Sequence, residues 1–185
     1  MESLIQVHDL HFRPMISHEA IQQRVKEIGE ALKIKYYDKQ PLLLGVLNGA
    51  FVFAADLIRS CDFEMELSFI KLSSYKGLRS TGQVATLIGL ETEVMNRHVV
   101  IVEDIIDSGK TLHDFLPELE KLHPASIAIA VLLHKPDATE YPLEIDYIGF
   151  SIPNRFVVGY GLDYDGLGRN FPDIYELADT SSDII

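Results

Sequence analysis

The sequence predicts an α/β fold, with a mainly parallel β-sheet flanked by helices. Two observations support this fold class. Short, almost wholly apolar segments, such as Pro41–Asn48 and His98–Asp104, have the composition of strands that are buried on both faces of a sheet. They alternate along the chain with segments of helical periodicity, such as Ser17–Lys35. Strands that alternate with helices indicate parallel pairing, and in such sheets ligands bind beyond the carboxyl ends of the strands.

The first half of the chain begins with an amphipathic helix over Ser17–Lys35, for which Ser17 is a suitable N-cap. Its apolar residues recur at spacings of four, three and four, at Ile21, Val25, Ile28 and Leu32. The polar segment Ser73–Gln83 contains two glycines and is expected to be a long mobile loop. The remaining predicted elements of this half are strands at Pro41–Asn48, Phe63–Leu72 and Val84–Gly89 and a helix at Ala50–Arg59.

The second half repeats the alternation of strand and helix. The segment Lys110–Leu122 is predicted to be a helix with a kink or break at Pro117, because proline lacks the amide hydrogen that a helix interior needs. The acidic tail Asp173–Ile185 is expected to lie on the surface or to be frayed. Strands are predicted at His98–Asp104, Ser126–Leu133, Asp146–Ile152 and Phe156–Gly161.

Composition limits the classes of partner. The 185 residues suit a single domain, and no apolar run approaches the length of a membrane span. Sixteen basic residues against twenty-eight acidic ones give a net charge of −12, which disfavours a nucleic-acid partner because phosphate binding needs a basic surface. The single Cys61 cannot form an internal disulfide, and the acidic start of the chain differs from a signal peptide. We therefore expect a cytoplasmic protein that binds neither nucleic acid nor membrane.

The segment Val99–Thr111 carries the strongest chemical signal. An apolar strand ends in the adjacent carboxylates Glu103 and Asp104, and Asp107 follows two residues later. The next four residues, Ser108, Gly109, Lys110 and Thr111, open a helix and have the composition of a phosphate-binding turn. A nucleoside-triphosphate P-loop is excluded, because its pattern requires a glycine where this chain has Asp104.

Carboxylates beside an anion site suit a ligand that has both hydroxyl groups and a phosphate, such as a ribose 5-phosphate. Glu103 and Asp104 would accept hydrogen bonds from the ribose diol. The alternative is an acidic pair that only caps a helix or faces solvent. The apolar strand before the pair and the phosphate-binding turn after it both disfavour that alternative.

Val99–Thr111 resembles the phosphoribosyl pyrophosphate (PRPP) signature of type I phosphoribosyltransferases, and the chain from about Pro41 to Arg169 resembles their hypoxanthine–guanine branch. Four further segments carry this resemblance: Gly45–Leu57, similar to the pyrophosphate loop; Ser73–Gln83, similar to the flexible catalytic loop; Leu132–Pro136, similar to the segment with the purine-reading lysine; and Arg155–Asn170, similar to the C-terminal purine- and metal-binding segment.

The resemblance implies roles on the sugar-phosphate side. Glu103 and Asp104 would hold the ribose hydroxyls, partly through Mg²⁺, and Ser108, Gly109, Lys110 and Thr111 would hold the 5-phosphate. Asn48 and Gly49 would present backbone amides to pyrophosphate, through a loop that allows a non-proline cis peptide bond. Arg169 would contact pyrophosphate, and Asp163 would contact a second Mg²⁺. Ser74 and Tyr75 match the serine–tyrosine pair of the catalytic loop, whose closure would exclude water.

On the purine side, the resemblance implies that Asp107 is the general base at N7 and that Lys135 binds the 6-oxo group. Phe156 would stack on the base, and the backbone of Val157 would face its edge. The resemblance also implies one domain over residues 1–185. Its core would span about 17–152, with a purine-binding hood from about 1–16 and 153–185, and the chain would assemble as a dimer or tetramer. Asn48 departs from the branch, which often has lysine there; the change is mild if backbone amides bind the pyrophosphate.

Rival functions remain within and outside the enzyme class. A related phosphoribosyltransferase could act on xanthine, adenine or a pyrimidine, but a lysine donor at Lys135 does not suit the 6-amino group of adenine. An RNA-binding regulator on the same fold would need a basic face, which the charge of −12 disfavours. A binding-only relative is disfavoured because Asp107, Lys135, Asp163 and Arg169 are all present. The preference among hypoxanthine, guanine and xanthine stays open.

Overall fold

The computed structural model describes residues 4–73, 85–88 and 93–178. Three helices are present in this part of the chain: α1 (His18–Tyr36), α2 (Phe51–Ser60) and α3 (Lys110–Glu120). The strands are β1 (Ile5–Val7), β2 (Leu10–Ile16), β3 (Leu42–Leu47), β4 (Glu66–Ser73), β5 (Ala85–Ile88), β6 (His98–Ile106), β7 (Ser126–His134), β8 (Tyr147–Ser151), β9 (Val157–Val158) and β10 (Ile174–Leu177). No helix in these ranges combines the length and the hydrophobicity needed to cross a bilayer.

The main sheet has the strand order β5-β4-β3-β6-β7-β8. Strands β4, β3, β6, β7 and β8 pair in parallel, and β5 is antiparallel to β4. Alternate residues of the central strands face opposite layers: Leu43 and Val100 pack with α1 and α2, whereas Leu44 and Ile101 pack with α3. The structure confirms the predicted α/β class and its mainly parallel sheet.

Helix α1 forms where its periodicity predicted. The hydroxyl oxygen of Ser17 accepts a hydrogen bond from the backbone N–H of Ala20 at 3.3 Å, which satisfies one of the free donors of the first turn. The four residues of the predicted apolar stripe are all buried. The N-cap and the buried face are therefore both as predicted.

Several boundaries differ from the prediction: β6 extends to Ile106 rather than Asp104, and β9 covers only Val157–Val158 rather than Phe156–Gly161. Strand β4 begins at Glu66 rather than Phe63, because its partner β3 begins at Leu42, which pairs with Glu66. Helix α3 is not broken at Pro117 and continues to Glu120. The missing amide hydrogen removes the helical bond to the carbonyl oxygen of His113, and three helical residues still follow the proline.

A second, four-stranded antiparallel sheet has the order β1-β2-β10-β9 and joins the two ends of the described chain. The expectation that the tail from Asp173 is frayed is wrong for its first residues, because Ile174 is fully buried and lies in β10 between β2 and β9. Residues 179–185 lie outside the described residues. The register of β10 depends on strands distant in sequence, which is why local composition did not reveal it.

Candidate active site

Two adjoining cavities lie at the carboxyl ends of the main strands. One measures about 360 Å³, the other about 190 Å³, and both are lined by Ile105 and Asp107. The larger cavity is also lined by Leu47, Glu103, Ser108, Gly109, Lys110 and Thr111. The smaller one is also lined by Asp104, Lys135, Phe156, Val157, Leu162 and Asp163. The residues expected to bind sugar phosphate and those expected to bind purine thus line neighbouring spaces.

The start of α3 forms an anion-binding turn. Gly109 is the N-cap residue, with a φ of +81° that a residue with a Cβ rarely adopts. A Cβ at this position would also meet the carbonyl oxygen of Tyr141 at 2.5 Å. The first turn of α3 contains no acidic residue, so its free N–H groups can receive an anion.

The side chain of Lys110 does not act as a P-loop lysine would. Its Nζ lies 2.7 Å from the carboxylate of Asp114, one turn along the helix, and 5.3 Å from the ring centre of Tyr141. The hydrogen bond to Asp114 raises the pKa of Lys110. Lys110 borders the cavity at the helix start, where its backbone N–H donates to the Ser108 hydroxyl at 3.3 Å.

Glu103 and Asp104 form a pair of carboxyl groups near the end of β6, in which Glu103 is buried and Asp104 is partly buried. Burial raises the pKa of Glu103 well above its usual range, and the charge of Asp104 adds to the effect. Burial also raises the pKa of Asp104, whose Oδ1 accepts a hydrogen bond from the N–H of Ile105 at 2.9 Å. Two crowded carboxylates that would be stabilised by a nearby cation fit a divalent metal ion.

Such a metal would need further ligands from the substrate. Among the described residues, no group of three or more His, Cys, Asp and Glu side chains is arranged to hold a metal ion. Mg²⁺ commonly binds one or two carboxylates and takes its other ligands from substrate oxygens and water. The pair of Glu103 and Asp104 fits that mode of binding.

The loop after β3 packs directly against Asp104. The Leu47–Asn48 peptide bond is cis, as the resemblance implied, and the side chain of Asn48 is exposed. A Cβ on Gly49 would overlap the Asp104 carboxylate, and a Cβ on Gly161 would overlap the carbonyl oxygen of Gly49. Both glycines are therefore required for the close approach of three chain segments.

Arg169 and Asp163 lie at this meeting point. One guanidinium nitrogen of Arg169 is 2.7 Å from Oδ1 of Asp163, and another donates to the carbonyl oxygen of Gly161 at 2.6 Å. The other carboxylate oxygen of Asp163 accepts from the N–H of Gly166 at 2.7 Å. The positive charge of Arg169 also acts on Asp104, where it opposes the effect of burial on the pKa. The structure thus brings Arg169 and Asp163 to the cavity edge beside the Gly49 loop.

Asp107 and Lys135 form an ion pair across neighbouring strand ends. The Nζ of Lys135 lies 2.6 Å from Oδ1 of Asp107. The Lys135 side chain is 7% exposed, whereas that of Asp107 is 54% exposed. The two residues follow β6 and β7, and the N–H of Lys135 donates to the carbonyl oxygen of Ile106 at 2.9 Å. A buried donor and an accessible carboxylate therefore stand side by side.

Phe156 presents an aromatic ring to the smaller cavity. It is 43% exposed, although its ring lies 6.1 Å from that of Phe12 and 5.7 Å, edge to face, from that of Tyr164. The next residue, Val157, is buried in β9. An exposed aromatic ring held by two other aromatic rings is a suitable platform for a planar ligand.

The structure brings together all but two of the expected site residues. Ser74 and Tyr75 lie outside the described residues, and the role assigned to them stays a prediction. The sequence did not indicate that Thr139 and Tyr141 lie behind the residues of the site. Their only signal was a position shortly after Lys135, which follows β7, and this does not specify a contact.

The chain is similar to known proteins over most of its length. Residues 17–165 match the family described as the phosphoribosyl transferase domain. The chain is 46% identical over 169 residues to the hypoxanthine-guanine phosphoribosyltransferase of Bacillus subtilis (strain 168). The aligned region covers 90% of this chain and 93% of that relative. The chain is 44% identical over 159 residues to the corresponding protein of Lactococcus lactis, with 85% and 86% covered. A solved hypoxanthine phosphoribosyltransferase from Staphylococcus aureus has a TM-score of 0.85 and 38% identity and covers 90% of this chain and 91% of its own.

Proposed function

The chain belongs to the phosphoribosyl transferase family, and on this basis we propose that it is a purine salvage enzyme of the hypoxanthine–guanine type. It transfers the 5-phosphoribosyl group of PRPP to N9 of hypoxanthine or guanine. The products are the nucleoside monophosphate and pyrophosphate. The resemblance found in the sequence predicted this family and this class of transferase.

The observation that carries the choice of base is the distance of 2.6 Å between Lys135 and Asp107. In a 6-oxopurine, N7 and the 6-oxo group are neighbours on one edge of the base. Lys135 has three donors, so it can bond Asp107 and the 6-oxo group together, while Asp107 can accept the proton at N7. Adenine offers a donor at position 6, which would leave the buried ammonium of Lys135 facing another donor.

The phosphoribosyl group would bind in the larger cavity. The helix start at Ser108, Gly109, Lys110 and Thr111 supplies N–H groups and hydroxyls for the 5-phosphate. Glu103 and Asp104 would accept hydrogen bonds from the ribose hydroxyls. As the bond between C1 and pyrophosphate breaks, positive charge develops on the ribose ring, and these two carboxylates would favour it.

Pyrophosphate would leave toward the Gly49 loop and Arg169. Backbone amides beside Asn48 and the guanidinium of Arg169 would stabilise its negative charge. Glu103 and Asp104 would hold one Mg²⁺ and Asp163 would contact a second, and these ions would supply additional charge stabilisation for the leaving group. As N9 of the base bonds to C1 of the ribose, the proton at N7 is transferred to the Asp107 carboxylate.

We extend the proposal to the whole chain. It is one domain, in which the core spans about residues 17–152 and the second sheet, built by residues 5–16 and 157–177, covers the purine. It assembles as a homo-oligomer, either a dimer or a tetramer. It is located in the cytoplasm. Light scattering of the purified protein tests the assembly.

A coupled assay tests the function. Purified protein is supplied with PRPP and, separately, with hypoxanthine, guanine, xanthine, adenine and uracil. We expect turnover of hypoxanthine and guanine and essentially none of adenine or uracil; the xanthine rate decides whether that base is also a substrate. Chelation by EDTA should abolish the activity and added Mg²⁺ should restore it. Adenine turnover equal to that of hypoxanthine would contradict the proposal.

A further inference from the structure

A short segment after β7, residues 139–141, packs behind the residues of the site. It follows the 3₁₀ turn Pro136–Ala138, which begins directly after Lys135. The backbone N–H groups of Glu140 and Tyr141 both donate to the carbonyl oxygen of Ser108, at 3.1 and 2.9 Å. This segment therefore supports the connection between β6 and α3 from behind.

The hydroxyl of Thr139 contacts the two residues of the ion pair through their backbones. Its Oγ1 lies 3.3 Å from the carbonyl oxygen of Asp107 and 3.1 Å from that of Lys135. The Nε2 of His134 lies 3.1 Å from the same Oγ1 and can donate to it in the tautomer protonated at Nε2. The hydroxyl proton is then free to bond either carbonyl, so one side chain joins the backbones of Asp107 and Lys135.

These two backbones carry the side chains that meet at 2.6 Å in the ion pair. Asp107 and Lys135 come from separate strand ends, and the last backbone hydrogen bond between the strands there runs from Lys135 to Ile106. Beyond that bond, the Thr139 hydroxyl is the side-chain group that contacts the backbones of both Asp107 and Lys135. A shift of one backbone would change the spacing of the donor and the acceptor that face the purine edge.

We propose that Thr139 is a positioning residue of this enzyme, which fixes the spacing of Asp107 and Lys135 toward the purine. The proposal deepens the function proposed above and rests on it. It concerns the purine alone, because the contacts of residues 139–141 to the phosphate-binding turn come from the backbone N–H groups of Glu140 and Tyr141 and from the Tyr141 ring, and none comes from the Thr139 side chain. A change of the Thr139 side chain leaves those amides in place.

Steady-state kinetics of Thr139→Val and Thr139→Ser provide the test. Valine keeps the shape and suits the extended backbone of Thr139 (φ −72°, ψ 113°) but removes the hydroxyl, whereas serine keeps the hydroxyl. The loss of one such hydrogen bond should lower kcat/KM for hypoxanthine about three- to tenfold in the valine variant. The KM for PRPP should stay within about twofold of wild type, and serine should restore the purine kinetics.

Several outcomes would overturn the proposal. A valine variant with wild-type kinetics, or one that loses hypoxanthine and PRPP affinity equally, would make Thr139 a structural residue only. If valine lowers the melting temperature, the same comparison is made between Thr139→Ser and Thr139→Ala, which differ by one oxygen atom; equal kinetics of these two would contradict the proposal. A wild-type protein that turns over no base would instead contradict the proposed function, and with it this role.

Discussion

The ammonium nitrogen of Lys135 lies 2.6 Å from a carboxylate oxygen of Asp107, and the two side chains differ sharply in exposure, at 7% and 54%. The buried lysine depends on this carboxylate, because an unpaired ammonium in an apolar environment is costly. The carboxylate remains open to a ligand on its other side. The pair is therefore poised to bind adjacent polar atoms on one edge of a base.

Replacement of Asp107 by asparagine should lower kcat by about 10²–10⁴-fold, because asparagine cannot accept the purine proton near neutral pH. The KM for PRPP should change little, since the phosphate-binding turn and the Glu103–Asp104 pair are untouched. The variant should also lose about 1–3 kcal/mol of stability, because the buried Lys135 loses its counter-charge but keeps a hydrogen-bond acceptor in the asparagine side chain. Steady-state kinetics and urea unfolding measure the two effects.

Asp62→Asn is the matched control for this substitution. Asp62 also pairs with a lysine, Lys33, at 2.7 Å, but both side chains are exposed and lie away from the site. We expect wild-type kinetics for this control. An Asp107→Asn variant that loses PRPP affinity but keeps its rate at saturation would make Asp107 a residue that shapes the phosphate-binding turn.

The double substitution Glu103→Gln and Asp104→Asn should reduce kcat/KM by about 10²-fold or more, because the lost charges act most strongly when the ribose is cationic. The protein should remain folded and should not melt earlier at neutral pH in metal-free buffer. The reason is that the change removes two crowded carboxylates, one buried and one partly buried, whose charged forms are both disfavoured by burial. Kinetics and calorimetry test the two expectations, and near-normal kcat/KM would show that the pair is structural.

Gly49→Ala should abolish most activity and lower the melting temperature, because its Cβ would overlap the Asp104 carboxylate. Gly166→Ala is the control: a Cβ there meets nothing within 4 Å, and only the φ of +83° opposes it. That backbone strain costs about 1–2 kcal/mol. Thermal melting and the coupled assay compare the two variants. Equal activity in both would mean that the loop can move away from Asp104 without loss.

Tyr160→Phe tests a buried hydrogen bond between α2 and the turn that carries Gly161. The Tyr160 hydroxyl donates to Asp56 at 2.6 Å, and burial, with this bond, raises the pKa of Tyr160. At pH 8 the variant should be about 1–2 kcal/mol less stable than wild type. The pKa of Tyr160 is higher in the folded state than in the unfolded state. The stabilisation by its hydroxyl is therefore complete below about pH 10 and is lost as the pH rises further.

The stability difference between wild type and Tyr160→Phe should therefore shrink above about pH 10. Urea unfolding at pH 8 and at pH 11 measures it, and the other tyrosines cancel in the difference because both proteins contain them. The exposed Tyr37, replaced by phenylalanine, serves as the control. A difference that stays constant between the two pH values would contradict the role assigned to the hydroxyl.

Features with a local cause could be predicted from the sequence. The apolar runs of β3 and β6 and the stripe of α1 reflect the burial of nearby residues, so periodicity was sufficient to find them. The phosphate-binding turn at Gly109 was equally visible, because a glycine, hydroxyl side chains and a helix start follow one another in the chain.

Features that depend on distant segments were decided only by the tertiary structure. Strand β10 forms because β2 and β9 lie on either side of it. Residue 49 must be glycine because the Asp104 carboxylate lies where a Cβ would be. The sequence by itself predicted which residues would carry the chemistry, namely acids and a glycine turn at a strand end and a lysine after the next strand. The structure decided that Lys135 reaches Asp107 and that Thr139 joins their backbones, because parallel pairing of β6 with β7 places the ends of two separate strands side by side.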